Sequence, residues 1–220
     1  MRKTAKNREG ALDMTGTATR YLYLVRHGEA LPDESGLSEN GRRQAVLLGR
    51  RLSNRPVSVV HHGPLPRAAQ TARLIGEHLD GAAVTASEIA GDYVPYFPDR
   101  DELPSDCADF LLRFLSWATA EDRERGPVLA RQALERFTGP VAGDEERHEL
   151  VVTHNFLIGW LVRHAMDAPE WRWLGLNQGN AALTVIRYAP GRPSSVLVHN
   201  DVRHLPAELS WTGFPPGLHV

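Results

Sequence analysis

Histidine and arginine recur at three points where a short apolar segment of the sequence ends. These side chains are Arg26 and His27, then His62 and Arg67, then His154. A neutral imidazole nitrogen can attack phosphorus, and guanidinium groups hold phosphate through paired, charge-assisted hydrogen bonds. The three points together therefore indicate a phosphoryl-transfer site in which a histidine is the nucleophile and arginines bind the phosphate.

A phosphoryl group that moves to histidine leaves behind an oxygen that needs a proton, and a carboxylic acid or a second histidine can supply it. The nearest carboxylic acids in the sequence are Glu29, Glu88 and Asp92. Chemistry through a phosphohistidine requires no metal ion and no cofactor. We therefore expect neither.

The elements that must position these side chains follow from the apolar pattern. Strands are predicted at residues 21–25, 57–60, 82–86, 149–153, 181–188 and 194–199. Between most of these strands, apolar residues recur at helical spacing, which predicts helices. Ser38 and Asn155 are expected to be N-caps of such helices, and Gly81 a C-cap glycine. The alternation predicts an α/β domain of three layers, with a mostly parallel sheet covered by helices on both faces. In such sheets the ligand crevice lies beyond the carboxyl ends of the strands, where the histidines and arginines are.

The predicted domain spans residues 20–220 and contains one insertion. Two amphipathic helices are predicted within residues 98–146, and we expect this helical insertion to lie over the carboxyl-terminal edge of the strands. Residues 1–19 are basic and polar, which predicts a flexible leader. Because this leader lacks the apolar stretch of a secretion signal, a cytoplasmic location is the default expectation.

Composition restricts the class of partner. The 220 residues are 42% hydrophobic and 24% charged, which is typical of a soluble globular protein and excludes a disordered or collagen-like chain. A net charge of -2 gives no basic field for nucleic acid or an acidic membrane, so neither partner is expected. The single cysteine, Cys107, excludes an intramolecular disulfide.

Four motifs resemble those of the histidine phosphatase superfamily, also called phosphoglycerate-mutase-like. They are Arg26-His27-Gly28-Glu29; Leu37-Ser38 with Gly41 and Gln44-Ala45; Arg67-Ala68 with Gln70-Thr71-Ala72; and Val152-Thr153-His154. They follow one another in the family's order. Four motifs in register are a far more specific signal than one Arg-His-Gly.

The resemblance implies a role for each matching side chain. His27 would be the nucleophile, Arg26 and Arg67 the phosphate clamp, and His154 a second histidine in the phosphate pocket that stabilises transition-state charge. These four residues form the core of the implied site.

The acid is implied less directly. Asp92, three residues before Pro95, resembles the acid of the protein-phosphatase-like branch, where glutamate stands instead, and Glu88 is the alternative acid. Glu29 is expected to orient its neighbours or to touch substrate. Asn155 stands where glycine is common and is expected to narrow the phosphate pocket or donate to the phosphate.

The residues implied by the resemblance favour a metal-independent phosphomonoesterase. After Glu29, the sequence lacks the serine, tryptophan and asparagine of the glycolytic mutases, which disfavours a mutase. Two alternatives stay open: a phosphoglycerate-mutase-like phosphotransferase, and a non-catalytic module that binds a phosphorylated ligand. The expected substrate is a phosphorylated small molecule or a phosphoprotein, and the sequence leaves the oligomeric state open.

Overall fold

The structure is a computed structural model that describes residues 16–214, 217 and 219. Within the described residues, six strands form one sheet. The strands are β1 (Arg20–Arg26), β2 (Val57–His62), β3 (Ala83–Ala86), β4 (Arg147–Thr153), β5 (Leu183–Tyr188) and β6 (Ser195–Asp201). The α-helices of the same residues are α1 (Glu39–Leu52), α2 (Pro66–Gly76), α3 (Ala108–Phe114), α4 (Ala120–Phe137) and α5 (Asn155–Ala165).

The sheet order is β3-β2-β4-β1-β5-β6. Neighbours among the first four strands are parallel, whereas β5 and β6 are antiparallel to their neighbours. The mostly parallel α/β sheet predicted from the sequence is confirmed. Arg26 at the end of β1 lies opposite Thr153 of β4, and His62 at the end of β2 lies opposite Val152. The three strand ends that carry the histidines are therefore side by side.

Helices cover both faces of the sheet because side chains of β1 alternate between the two cores. Val25 is buried with Leu48 of α1 and Ile75 of α2. Leu24, the preceding residue, is buried on the other face with Phe137 of α4. The result is the three-layer arrangement that the sequence predicts. None of the helices in the described part of the chain is long and apolar enough to cross a membrane.

Two predicted helix caps are wrong. Helix α2 ends at Gly76, five residues before the predicted glycine cap, because the chain then turns more tightly: the N–H groups of His78 and Leu79 donate to carbonyls three residues back. Gly81 does have a positive φ of 68°, but in the turn that follows. At α5 the N-cap is His154, which has extended backbone, and Asn155 is the first helical residue.

The predicted leader lies mostly outside the described residues, since residues 1–15 are not among them. The remainder packs on the domain. Ala18 forms an antiparallel bridge with Val141, through backbone hydrogen bonds in both directions. The region of the predicted insertion contains α3 and α4, and Thr119 begins α4 with a capping box closed by Asp122.

Candidate active site

His27 lies directly after β1, and its imidazole is held in one tautomer. Its Nδ1 is 2.7 Å from the carbonyl oxygen of Gly28, and because a carbonyl only accepts, Nδ1 must carry the proton. The lone pair is therefore on Nε2, which accepts a hydrogen bond of 3.1 Å from Nε of Arg67. Burial, with a smaller contribution from His154, lowers the pKa of His27 to about 3. The imidazole is thus neutral near pH 7, with Nε2 available as a base or nucleophile.

His154 lies at the end of β4, with its ring centroid 5.0 Å from that of His27. It is buried, and neither ring nitrogen has a hydrogen-bond partner among the described residues. Burial first, then the charges of Arg67 and Arg26, lower the pKa of His154 to about 3. A buried polar side chain without a partner costs free energy, which is typical of a group that meets a ligand.

Arg67, the second residue of α2, is buried and donates in three directions. Its Nε reaches His27, its Nη1 lies 3.0 Å from Oε2 of Glu34, and its Nη2 lies 2.8 Å from Oδ2 of Asp92. The guanidinium thus stands between a potential nucleophile and two carboxylates. An anion that binds here would compete with these carboxylates for the guanidinium group.

Arg26 is fixed by carbonyl groups from the carboxyl-terminal third of the chain. Its Nη1 donates to Gln178 at 2.6 Å and to Gly213 at 3.1 Å, while its Nε is buried without a partner among the described residues. Burial lowers the pKa of Arg26, with Asp92 opposing that shift and Arg67 adding to it. An arginine remains charged in either case, so two guanidinium groups converge on the rings of His27 and His154.

The three predicted carboxylates occupy different places. Asp92 faces His154: its Oδ2 is 3.4 Å from Nδ1 of His154 and 2.8 Å from Nη2 of Arg67. Glu29 also lines the crevice, and its Oε1 accepts a hydrogen bond of 2.6 Å from Ser38. Glu88, in contrast, lines a neighbouring cavity and pairs with Arg125 at 3.1 Å.

The loop that carries Asp92 is anchored to the sheet through Ala90. The carbonyl of Ala90 accepts a hydrogen bond of 2.7 Å from Oγ1 of Thr153. Its oxygen also approaches Gly63 so closely that a Cβ atom there would lie 2.5 Å away. The close approach of Ala90 explains why position 63 has no side chain.

Asn155 lines the crevice, but its amide is engaged with a neighbouring loop. Nδ2 donates to Oδ1 of Asn177 at 3.0 Å, and Oδ1 accepts from the backbone N–H of Gln178 at 2.7 Å. Because the carbonyl of Gln178 holds Arg26, Asn155 supports the arginine indirectly. A direct contact between Asn155 and phosphate stays a prediction.

Glu34 and Asn180 are among the side chains at the crevice that sequence reasoning missed. Glu34 comes from a turn after β1 and has a positive φ of 58°, and Asn180 donates from Nδ2 to the carbonyl of His27 at 3.0 Å. Neither belongs to a periodic segment. Their contacts join positions far apart in the chain, so the motifs gave no signal for them.

The crevice has a volume of about 1060 Å³. Its base carries the two histidines and two arginines, and Glu29, Glu34, Asp92 and Asp122 add acidic groups around them. Within the part of the chain that the structure describes, no group of three or more His, Cys, Asp or Glu residues is arranged to hold a metal ion. The arrangement can bind a phosphate, present a neutral imidazole to it and place a carboxyl group beside it.

Comparison with known proteins agrees with this site. The sequence model of the histidine phosphatase superfamily (branch 1) matches residues 22–201. "Serine/threonine-protein phosphatase Pgam5, mitochondrial" of Caenorhabditis briggsae is 30% identical over 202 residues, which cover 89% of this chain and 68% of that protein. The protein of the same name from Caenorhabditis elegans is 31% identical over 195 residues, covering 86% and 66%. The chain thus spans about two thirds of the length of these relatives.

A solved structure described as phosphoglycerate mutase from Plasmodium falciparum has the same fold. It superposes with a TM-score of 0.58 at 22% identity, covering 86% of this chain and 96% of that one. The fold and the family match together define an α/β enzyme of the phosphoric monoester hydrolase class. The chain belongs to the histidine phosphatase superfamily.

The expectation of a cytoplasmic location is wrong in the light of these relatives. The names of both Caenorhabditis proteins place them in mitochondria. The inference failed because a missing apolar stretch excludes only a secretion signal. Other targeting segments are basic and polar and do not need such a stretch.

Proposed function

We propose that the chain is a metal-independent phosphomonoesterase that forms a covalent phosphohistidine on Nε2 of His27. One observation carries the proposal: the hydrogen bond from Nδ1 to Gly28 and the lowered pKa leave a neutral imidazole with its Nε2 lone pair in the crevice. A histidine that served only structure would not need an unprotonated nitrogen beside the guanidinium of Arg67.

The phosphate is bound where Arg67 now meets its internal partners. Phosphate oxygens replace the carboxylates of Glu34 and Asp92 on the guanidinium of Arg67, and they meet the unpartnered nitrogens of His154 and Arg26. The N–H group at Nε of Arg67 then donates its hydrogen bond to a phosphate oxygen and no longer to His27. This leaves the lone pair on Nε2 of His27 free. Planar guanidinium groups suit this because they bind phosphate through two parallel hydrogen bonds.

In the first step, Nε2 of His27 attacks phosphorus while the bond from phosphorus to the alcohol oxygen breaks. The carboxyl group of Asp92, in its acid form, gives its proton to the leaving oxygen, and the alcohol departs. Arg26 and Arg67 remain on the equatorial oxygens of the phosphoryl group, where charge is spread in the transition state. The products of this step are the alcohol, phosphohistidine and the Asp92 carboxylate.

In the second step, a water molecule attacks phosphorus from the side that the alcohol left. The carboxylate of Asp92 takes a proton from this water, and the bond between phosphorus and Nε2 breaks. Inorganic phosphate leaves, and His27 returns to its neutral form with Nδ1 still bonded to Gly28. The same carboxyl group thus acts as an acid and then as a base.

The test is to trap the phosphoenzyme with labelled substrate by rapid quenching into base. The wild-type protein should carry an acid-labile label, and His27→Ala should carry none and should lose turnover. His62→Ala is a matched control that should keep the label, because His62 ends β2 and also bonds its Nδ1 to the next carbonyl, that of Gly63 at 2.8 Å. Equal labelling of the wild type and His27→Ala would refute the assignment of the nucleophile.

A further inference from the structure

An aromatic cavity adjoins the crevice on the side of the insertion. It has a volume of about 400 Å³ and shares Phe110, Phe114 and Phe156 with the crevice. Phe110 and Phe114 lie one helical turn apart on α3 and are 69% and 42% exposed. Large apolar side chains this exposed at the edge of a cavity often mark a ligand site.

The aromatic surface begins beside the phosphate pocket and continues inward. Phe156 is two residues after His154, and its ring lies 6.1 Å from that of Phe114 in an edge-on arrangement. On its other side, Phe156 is 5.0 Å from the ring of Trp173, which is buried. A group attached to a phosphate on His27 would therefore meet aromatic rings.

Polar groups in the cavity wall are already engaged with one another. The amides of Asn155 and Asn177 are bonded together at 3.0 Å, and Arg172 donates to the carbonyl of Leu174 at 2.8 Å. The guanidinium of Arg172 also lies over the ring of Trp171, 5.4 Å from its centroid. A peptide backbone placed here would lose its hydrogen bonds to water and would find few new partners in the wall. The wall therefore favours an apolar occupant.

Charge in the crevice favours an uncharged occupant. Both arginines of the crevice are assigned to the phosphate by the proposed function, and the other charged side chains that line the crevice are acidic: Glu29, Glu34, Asp92 and Asp122. A second anion in the crevice beside the phosphate would lie among these carboxylates, and Arg172, which lines the aromatic cavity, is already bonded to the carbonyl of Leu174. An uncharged alcohol avoids that repulsion.

We propose that this cavity binds the apolar alcohol part of a small phosphate monoester, with Phe110 and Phe114 determining specificity. The proposal rests on the phosphomonoesterase activity proposed above. It identifies the substrate class as small esters with an aromatic or long aliphatic group a few bonds from phosphorus.

The experiment compares 4-phenylbutyl phosphate with propyl phosphate, two esters of primary alcohols with similar leaving groups. We expect kcat/KM to be at least about tenfold higher for the phenylbutyl ester, from burial of its ring. Phe110→Ala and Phe114→Ala, made separately, should reduce this ratio to below about threefold. Leu197→Ala is the control, because Leu197 is 52% exposed on β6 and should leave the ratio unchanged.

The two matching phosphonates, which cannot be hydrolysed, serve as competitive inhibitors and report binding alone. Equal kcat/KM values and equal inhibition would overturn the aromatic site and leave the proposed function standing. Turnover of neither ester, without a phosphoenzyme, would instead count against the proposed function.

A second pair of substrates tests whether the apolar group belongs to a small ester or to a peptide. These are phosphoserine peptides with phenylalanine or alanine beside the phosphoserine. Preference confined to the peptides would overturn the assignment to a small ester.

Discussion

Replacing Asp92 with asparagine tests whether Asp92 is the acid in the proposed mechanism. Asparagine has nearly the same size and can still accept a hydrogen bond from Arg67, now 2.8 Å from Oδ2. It cannot give a carboxylic proton to a leaving oxygen. The substitution therefore removes acid catalysis while the phosphate clamp is kept.

The expected effect depends on the leaving group. General acid catalysis contributes about 10²- to 10⁴-fold, so formation of the phosphoenzyme from an alkyl phosphate should slow by that factor in Asp92→Asn. p-Nitrophenolate leaves without a proton, so with p-nitrophenyl phosphate the same step should slow by less than about tenfold. Single-turnover quenched-flow measurement separates this step from hydrolysis of the phosphohistidine, which Asp92→Asn should slow for both substrates.

Glu88→Gln is the matched control. Glu88 is a carboxylate four residues earlier in the same loop region, but it pairs with Arg125 and lines a different cavity. Its substitution should change both rates by less than about twofold, since an exposed ion pair contributes little. If Glu88→Gln slows phosphorylation from the alkyl ester and Asp92→Asn does not, Glu88 is the acid and the geometric argument for Asp92 is wrong.

Two further predictions concern the groups around His27. Glu34→Gln should lower the inhibition constant of inorganic phosphate about two- to fivefold, because it removes an exposed carboxylate that competes with phosphate for Arg67 and repels it. Glu77→Gln, on the exposed pair with Arg73, should leave this constant unchanged. A higher constant in Glu34→Gln would contradict the competition. The lowered pKa of His27 and of His154 predicts a loss of stability in acid, because an unfolded histidine takes up a proton near pH 6.5 and these two folded histidines do not. Their contribution to the free energy of unfolding is therefore complete above about pH 6.5 and is lost as the pH falls toward 3. Between pH 7.5 and 5, the free energy of unfolding in urea should fall by about 2 kcal/mol for each of the two histidines, and His27→Gln should reduce the fall by about that amount. An unchanged fall would mean that His27 is not held neutral by burial.

The core of the candidate site could be predicted because it follows the ends of parallel strands. β1, β2 and β4 are adjacent, so residues directly after them must lie together. A strand end followed by a helix is visible in a sequence as an apolar segment and a helical pattern. His27, Arg67 and His154 could be brought together from that pattern alone.

The parts that sequence could not predict are fixed by contacts across the chain. Arg26 bonds to Gln178 and Gly213, which lie 152 and 187 positions away. Glu34 and Asn180 lie in turns whose conformation no periodicity specifies. The cap at α5 failed for a related reason: the amide of Asn155, which would cap a helix, is bonded to the loop at Asn177 instead.

The position of Asp92 shows how the predicted and the unpredicted parts depend on each other. A serine at position 63 would offer phosphate another hydroxyl, but its Cβ would meet the carbonyl of Ala90 at 2.5 Å. That carbonyl is held by Thr153 from the strand that ends in His154, and it fixes the loop two residues before Asp92. Glycine at position 63 therefore lets the Asp92 loop pack directly on the sheet. In this packing the carboxylate of Asp92 lies 3.4 Å from Nδ1 of His154.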